Sequence, residues 1–411
     1  MDHSIDEAAR VFTDPAAYAD EARFHQACAL LRRERPVPYV DVEGFEPFWA
    51  LTRYDDIMTV ERDPETWISA PRPALGRKRD PAEGAASMPV RTLVQMDAPE
   101  HTKYRKISVD WFKMANISRL SERAAELAKR SVDHMAELGG ECDFYGDVAV
   151  NYPLYIILAL LGLPEADFPR MLKLTQEMFG NQDPDVARKT DDDTLMVTLL
   201  EFVEYFTGLV EDRRSHPLDD LASVIANAEI DGEPIGVLEA IGYFVIIATA
   251  GHDTTSSAIS GGMAALLAQP EQLSRLLDDH SLIQPAVEEM FRYVSPVKQF
   301  IRTATSEQVV GSVTIPKSGA VLLSYPSANR DDAVFANPDV FDVGRNPNRH
   351  IAFGFGAHFC LGTHLARLET RAFYNELIPR LQHAELAGEP MFMKTLFVGG
   401  PKSVPIRFRV R

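Results

Sequence analysis

The sequence predicts a mainly helical fold with a minor strand-rich side, and three observations carry that prediction. Leu238 to Ala268 is apolar on nearly every side, which marks a helix some 45 Å long that must be buried. Leu361, Leu365, Leu368 and Ala372 recur at helical spacing behind a glycine-rich loop. Strand candidates are short: Phe48 to Thr52, Val297 to Thr303, and Val404, Ile406 and Phe408 alternating with polar residues.

Taken in order, residues 14 to 35 read as a helix with Leu30 and Leu31 on its apolar side, and Tyr54 to Glu61 as a short helix. Ser69 to Val90 turns to Pro, Gly, Ala and charge without periodicity, the signature of a long loop. Met96 to Arg105 starts a basic helix in which His101 and Arg105, four apart, share one face. They could bind two carboxylates from one side, or be ordinary surface residues. Asn151 to Leu163 is apolar but interrupted by Pro153 and Pro164, too short to cross a bilayer. Residues 180 to 195, with Asp191, Asp192 and Asp193, read as a surface loop between helices.

Within the long apolar helix, Ala250-Gly251-His252-Asp253-Thr254-Thr255 sets a carboxylate and hydroxyls among oily neighbours. A buried Asp needs a partner or a task. In a structural reading the threonines bond back to preceding carbonyls and bend the helix. In a functional one, Gly251 admits a flat ligand and an opened turn admits water, so that Asp253 and Thr254 form a proton route. Glu289 and Arg292, three apart on a short helix, can pair.

The chain has 411 residues, 45% of them hydrophobic, which as a prior on length alone suggests two or three domains. Its net charge of −18 disfavours nucleic acid and anionic membrane surfaces as partners. Residues 101 to 130 run the other way, with eight Lys/Arg against three Asp/Glu. That segment is either a docking face or a solvated helix face. Three scattered cysteines, at 28, 142 and 360, imply no disulfide framework. The polar, acidic beginning Met1-Asp2-His3-Ser4 has neither a signal peptide nor an anchor pattern, so a cytoplasmic location is expected.

Phe353-Gly354-Phe355-Gly356-Ala357-His358-Phe359-Cys360-Leu361-Gly362 brings one thiol, one imidazole and three glycines together before a helix. A helix N-terminus favours an anion, so Cys360 is expected as a thiolate and a soft metal ligand. A buried packing cysteine is the plain alternative. Zinc lacks a fourth ligand near His358, Cys360 and His364, and a dinucleotide fingerprint lacks its third glycine.

The ten residues resemble the haem-thiolate signature of cytochromes P450, Phe-Gly-x-Gly-x-His-x-Cys-x-Gly, and Ala250 to Thr255 is similar to that family's Ala-Gly-x-Asp-Thr-Thr. The resemblance implies one domain over residues 1–411, with haem b (iron protoporphyrin IX) between the central helix and the Cys loop. It assigns Cys360 as iron ligand, and Phe353, Gly354, Gly362, Ala250 and Gly251 as cofactor contacts. His101, Arg105, Arg302 and His358 would hold the propionates, and Asp253 and Thr254 would supply protons for dioxygen reduction. Glu289, Arg292 and Arg345 would brace the haem-side loops, and helices beside residues 180 to 195 would form a lid. With no flavin region and no iron–sulfur cysteine cluster in the sequence, electrons are expected from a ferredoxin-type donor with its reductase. The absent anchor resembles soluble bacterial members, expected as monomers.

Tyr325 to Asp331, Asn348-Arg349-His350 and Phe397 to Lys402 are similar to the terpineol-hydroxylating bacterial members. That implies a small neutral hydrophobic substrate, a monoterpenoid or alkyl-aromatic, in a pocket with Ile246, Thr249, Ala250 and Phe300. One residue pulls the other way. Lys298 shares the strand period of Phe300 and Arg302, and could salt-bridge an aromatic or fatty carboxylic acid. We expect it turned away instead, its stem on apolar surface and its ammonium reaching water. A peroxide-using member would replace the acid–alcohol pair, and a haem-based sensor would need no proton route.

Overall fold

The central helix, Val237–Ala268, is 32 residues long and buried along most of its length. Small residues let its neighbours come close. A Cβ at Gly262 would lie 2.5 Å from the Met290 side chain and one at Gly261 2.6 Å from the Val294 side chain, so the helix Ile283–Val294 seats these side chains directly on the central helix backbone. A computed structural model describes residues 2–78, 90–186 and 192–411. Within these residues helices Asn151–Leu160, Phe168–Phe179, Asp192–Ser215 and Thr363–Leu377 also pack against the central helix, with Ser121–Glu137 lying behind the first and last of them. Pro153 is tolerated because it falls in a first helical turn, where its missing N–H has no partner to lose.

The strand-rich side is a five-stranded sheet in the order Tyr39–Val40, Phe48–Leu51, Ala320–Ser324, Gln299–Ala304, Trp67–Ile68. Ala320–Ser324 is its buried middle, parallel to Phe48–Leu51 and antiparallel to Gln299–Ala304. Buried on both faces, it reads as a continuous apolar run. The expected C-terminal strand is Pro405–Val410, with Ile406 and Phe408 inward and Arg407 and Arg409 exposed. It lies between Leu381–Leu386 and Glu141–Asp143.

Two element boundaries differ from expectation. The helix read over 14 to 35 is two, Pro15–Ala19 and Glu21–Glu34, because the Asp20 carboxylate accepts from the Arg23 N–H at 3.0 Å and starts a new helix. The acidic loop ends sooner than residue 195, since a helix runs Asp192–Ser215; Asp191 lies outside the described residues. So does half of the loop read over Ser69 to Val90, from 79 to 89.

Glu289 is fully buried between two guanidinium groups. Arg292 donates to its two oxygens at 2.7 Å each, and Arg345 Nε reaches both at 3.1 and 3.0 Å. Asn348 adds a bond at 3.0 Å. The guanidiniums spend their other hydrogens on carbonyls of Asn329, Ala336, Asn337, Pro338 and Val340. One carboxylate thus ties a helix to the irregular segment leading into the Cys loop. Removing it leaves two buried cations facing each other, so Glu289→Ala should cost about 3–5 kcal/mol of folding stability. Urea denaturation checks this; a loss under about 1 kcal/mol would contradict the bracing role.

Candidate active site

The Cys loop is shaped by what lies beneath it. Gly354 and Gly356 have left-handed backbone angles (φ 66° and 69°), and a Cβ at Gly356 would sit 2.0 Å from the Glu61 carbonyl oxygen. Only glycine fits there. Gly362 has ordinary backbone and no close neighbour, so nothing in its surroundings demands glycine. The Cys360 amide donates to Phe353 O at 2.9 Å and closes the loop. Phe353 is clamped by the Phe291 ring at 4.8 Å and by Arg367 over its face at 4.8 Å. Arg367 also grips Glu288 with two bonds of 2.7 Å. The loop is therefore fixed to the braced helix on one side and Thr363–Leu377 on the other.

Cys360 is exposed as a residue, although burial is the leading influence on its thiol. Burial raises the thiol pKa, while the Gly362 N–H, Thr363 and Arg105 pull it down.

Around this thiol the structure gathers the four nitrogen-bearing side chains the sequence singled out. The His101 and His358 rings lie against each other, centroids 4.2 Å apart and planes tilted by 33°. Arg105 donates to Phe359 O at 2.5 Å, and Arg302 is buried with its guanidinium 5.5 Å above the Phe300 ring. Their mutual influence is repulsive. His358 is pushed down to about 2, first by burial and then by Arg302, His101 and Arg105; His101 is lowered by burial and by Arg105. His101 Nε2 is buried without a partner. Clustered donors under net positive potential, one of them orphaned, fit an anionic group bearing carboxylates. With a soft sulfur ligand beside them, they fit a propionate-bearing iron porphyrin.

Sequence reasoning missed the residues that hold this set. Asp97 accepts from the amides of Ser69 and Ala70 at 2.7 and 2.9 Å, and Ser69 Oγ meets His358 Nε2 at 3.1 Å. Glu61 is buried beneath the loop, bonded to Tyr325 Oη at 2.7 Å, with its Oε2 unpartnered. An acid directly after the apolar run Ile57, Met58 and Val60 was the available signal.

On the central helix, Ile246, Ala250 and Thr254 are less buried than their neighbours and share one face, four residues apart. Thr249 does not join them: it is 2% exposed, with its hydroxyl on Val245 O at 2.8 Å. Thr254 Oγ1 bonds Ala250 O at 2.7 Å, so back-bonding occurs, but the helix runs unbroken from Val237 to Ala268 and no turn opens. Gly251 lets Ile157 pack close, since a Cβ there would lie 2.3 Å from it. Asp253 is buried, with Oδ2 unpartnered.

Lys298 precedes the strand Gln299–Ala304, so the two-residue period never reaches it. It is buried rather than reaching water, and donates to the last carbonyls of the adjacent helix, Val294 O at 3.2 Å and Ser295 O at 3.1 Å. Burial lowers its pKa to about 8. The basic segment is also less bare than its composition suggested. Lys103 pairs with Asp231, Lys113 with Asp110, Lys129 with Asp133, and Arg123 and Arg130 with Glu165. Among the described residues Lys106 and Arg119 make no ion pair.

A thiol on a closed glycine loop beside clustered His and Arg side chains, in a chain whose long buried helix carries an acid and an alcohol, points to a haem-thiolate protein. The chain belongs to the cytochrome P450 family, whose model matches residues 90–407, and its cofactor is haem b; it is a P450 monooxygenase. It is 42% identical to cytochrome P450-terp of a Pseudomonas species, over 97% of both chains. Linalool 8-monooxygenase of Pseudomonas putida is 32% identical over 93% of this chain and 95% of its own. The crystal structure of CYP108D1 from Novosphingobium aromaticivorans superposes with a TM-score of 0.90 at 38% identity, covering 98% of each chain. Relatives named as lipid and steroid hydroxylases also match. No helix among the described residues is long and apolar enough to cross a membrane.

Burial raises Glu61 to about 7, against the opposing pull of Tyr325 and Arg302. A carboxyl held above its unfolded value stabilises at low pH, and that contribution is lost as pH rises from about 4.5 through about 7. The loss is about 3 kcal/mol. Glu61→Gln should therefore flatten the fall in stability between pH 5 and pH 8 measured by urea denaturation; parallel curves for both proteins would contradict it.

Proposed function

We propose that this P450 hydroxylates a small neutral hydrophobic molecule, a monoterpenoid or alkyl-aromatic, as a cytoplasmic monomer in which residues 1–411 act as one catalytic domain. Haem b, when bound, supplies the redox chemistry that activates dioxygen at a C–H bond. Cys360 is its ligand, with Phe353, Gly354 and Gly362 in the supporting loop and Ala250 and Gly251 in the facing helix. His101, Arg105, Arg302 and His358 hold the propionates. Asp253 holds a transferable proton, and Thr254 positions its hydroxyl on the open face of the central helix. Ile246, Ala250 and Phe300 form apolar walls that exclude water. Electrons come from a ferredoxin with its reductase; the internal ion pairs of the basic segment leave Lys106 and Arg119 as its attractive charges.

One observation carries the substrate reading: Lys298 is committed to the carbonyls of Val294 and Ser295. A carboxylate substrate would have to take it from a helix end where it is buried and bonded. Beside Phe300 stand the rings of Phe397 at 5.3 Å and Tyr325 at 6.2 Å, which suit an apolar or aromatic molecule. The names of the P450-terp and linalool relatives point the same way.

The test is the spin-state shift on titrating matched pairs, an alkyl-aromatic alcohol and its carboxylic acid, into wild type and Lys298→Met. Alcohols should bind more tightly in both proteins. Tighter binding of acids, abolished by Lys298→Met, would replace this reading with an acid hydroxylase.

A further inference from the structure

His252 separates Gly251 from Asp253 and is fully buried, and no role above uses it. Its Nε2 lies 2.8 Å from Val150 O. A carbonyl only accepts, so Nε2 carries a hydrogen and a neutral ring keeps its lone pair on Nδ1. Two groups compete for that lone pair. Thr175 Oγ1 lies 3.0 Å away, from the helix Phe168–Phe179, and Asp253 Oδ1 lies 3.4 Å away.

Each competitor has an alternative. Thr175 Oγ1 also lies 3.0 Å from Leu172 O, and its single hydrogen can go to only one of the two acceptors. Asp253 is 7% exposed with Oδ2 unpartnered. An ionised Asp253 would face the Nδ1 lone pair and be repelled, whereas a protonated one can donate to it. Tyr145, from the turn before Asn151–Leu160, also lies near the pair. Its hydroxyl is raised by burial and then by Asp253, and is bonded to Gln176.

We propose that His252 is a positioning residue for Asp253, that the two share one proton, and that Thr175 decides which holds it. This rests on Asp253 as the proton donor of the reaction. When Thr175 donates to Nδ1, the lone pair is filled and the proton stays on the Asp253 carboxyl, ready for delivery. When Thr175 donates to Leu172 O, the Asp253 O–H bond breaks and an Nδ1–H bond forms, leaving a carboxylate beside an imidazolium. Only a proton moves. The seating of one helix on another thereby sets the protonation of the acid.

The test combines spectroscopy and turnover. In holoenzyme labelled with 15N-histidine, held in its ferrous carbon monoxide form, His252 is assigned by its loss in His252→Asn. Wild type should show the neutral Nε2–H tautomer. Thr175→Val should move Nδ1 toward its protonated shift, and adding Asp253→Asn should move it back. His252→Asn, which keeps a donor and an acceptor but cannot hold the extra proton, should slow product formation by about tenfold or more with ligand affinity retained. The double variant His252→Asn/Asp253→Asn should be no slower than Asp253→Asn. An unmoved Nδ1 in Thr175→Val, or multiplying losses in the double variant, would overturn the sharing. If Asp253→Asn itself forms product at the wild-type rate, the acid role fails and the proposal with it; if it is slow while His252→Asn is not, only the proposal fails.

Discussion

Glu289 has no solvent to stabilise its charge, so its two oxygens depend on Arg292, Arg345 and Asn348. Ten residues of loop could not otherwise hold one sulfur in register against a helix from elsewhere in the chain. The two guanidiniums carry the constraint onward: each spends its remaining hydrogens on carbonyls between Asn329 and Val340, pinning irregular backbone that has no ladder of its own. Glu288, the adjacent residue, reaches the other side through Arg367 and His350. A single turn of helix therefore anchors both approaches to the Cys loop. Buried ion clusters seldom add stability over apolar packing, but they fix geometry because no alternative arrangement satisfies the charges.

The recess this frame encloses is electrostatically one-sided. Arg105, Arg302, His101 and His358 crowd together, and the imidazoles are held neutral by burial and by the guanidiniums. Glu61 lies underneath, raised by burial to about 7, and so supplies little countercharge. A dianionic cofactor answers all of these at once, whereas water could bond His101 Nε2 but would leave the positive potential unmet. The thiol shows the same dependence, since its pKa is raised by burial in the protein alone.

The sequence made the long apolar helix, the loop glycines and the Glu289 cluster legible because each rests on a strong local pattern or a motif. What it hid were the contacts between distant segments. Asp97 reaching Ser69, Glu61 under Gly356 and Thr175 on His252 join residues 28 to 295 positions apart, and no periodicity encodes such pairs. Ile157 packing against Gly251 is a contact of the same kind, since nothing in either segment's pattern announces it. Lys298 misled because the strand starts at Gln299, two residues later than the expected Val297.

Central to the account is Cys360 as the sulfur that binds iron. Cys28 is buried and Cys142 half-buried, both with thiols pushed up to about 12 by burial, so neither is a substitute. The reduced carbon monoxide spectrum of wild type and Cys360→His tests this directly. Wild type should give the thiolate-type band, and the variant should retain some haem but lose both that band and monooxygenation. A thiolate-type band surviving in Cys360→His would contradict the account.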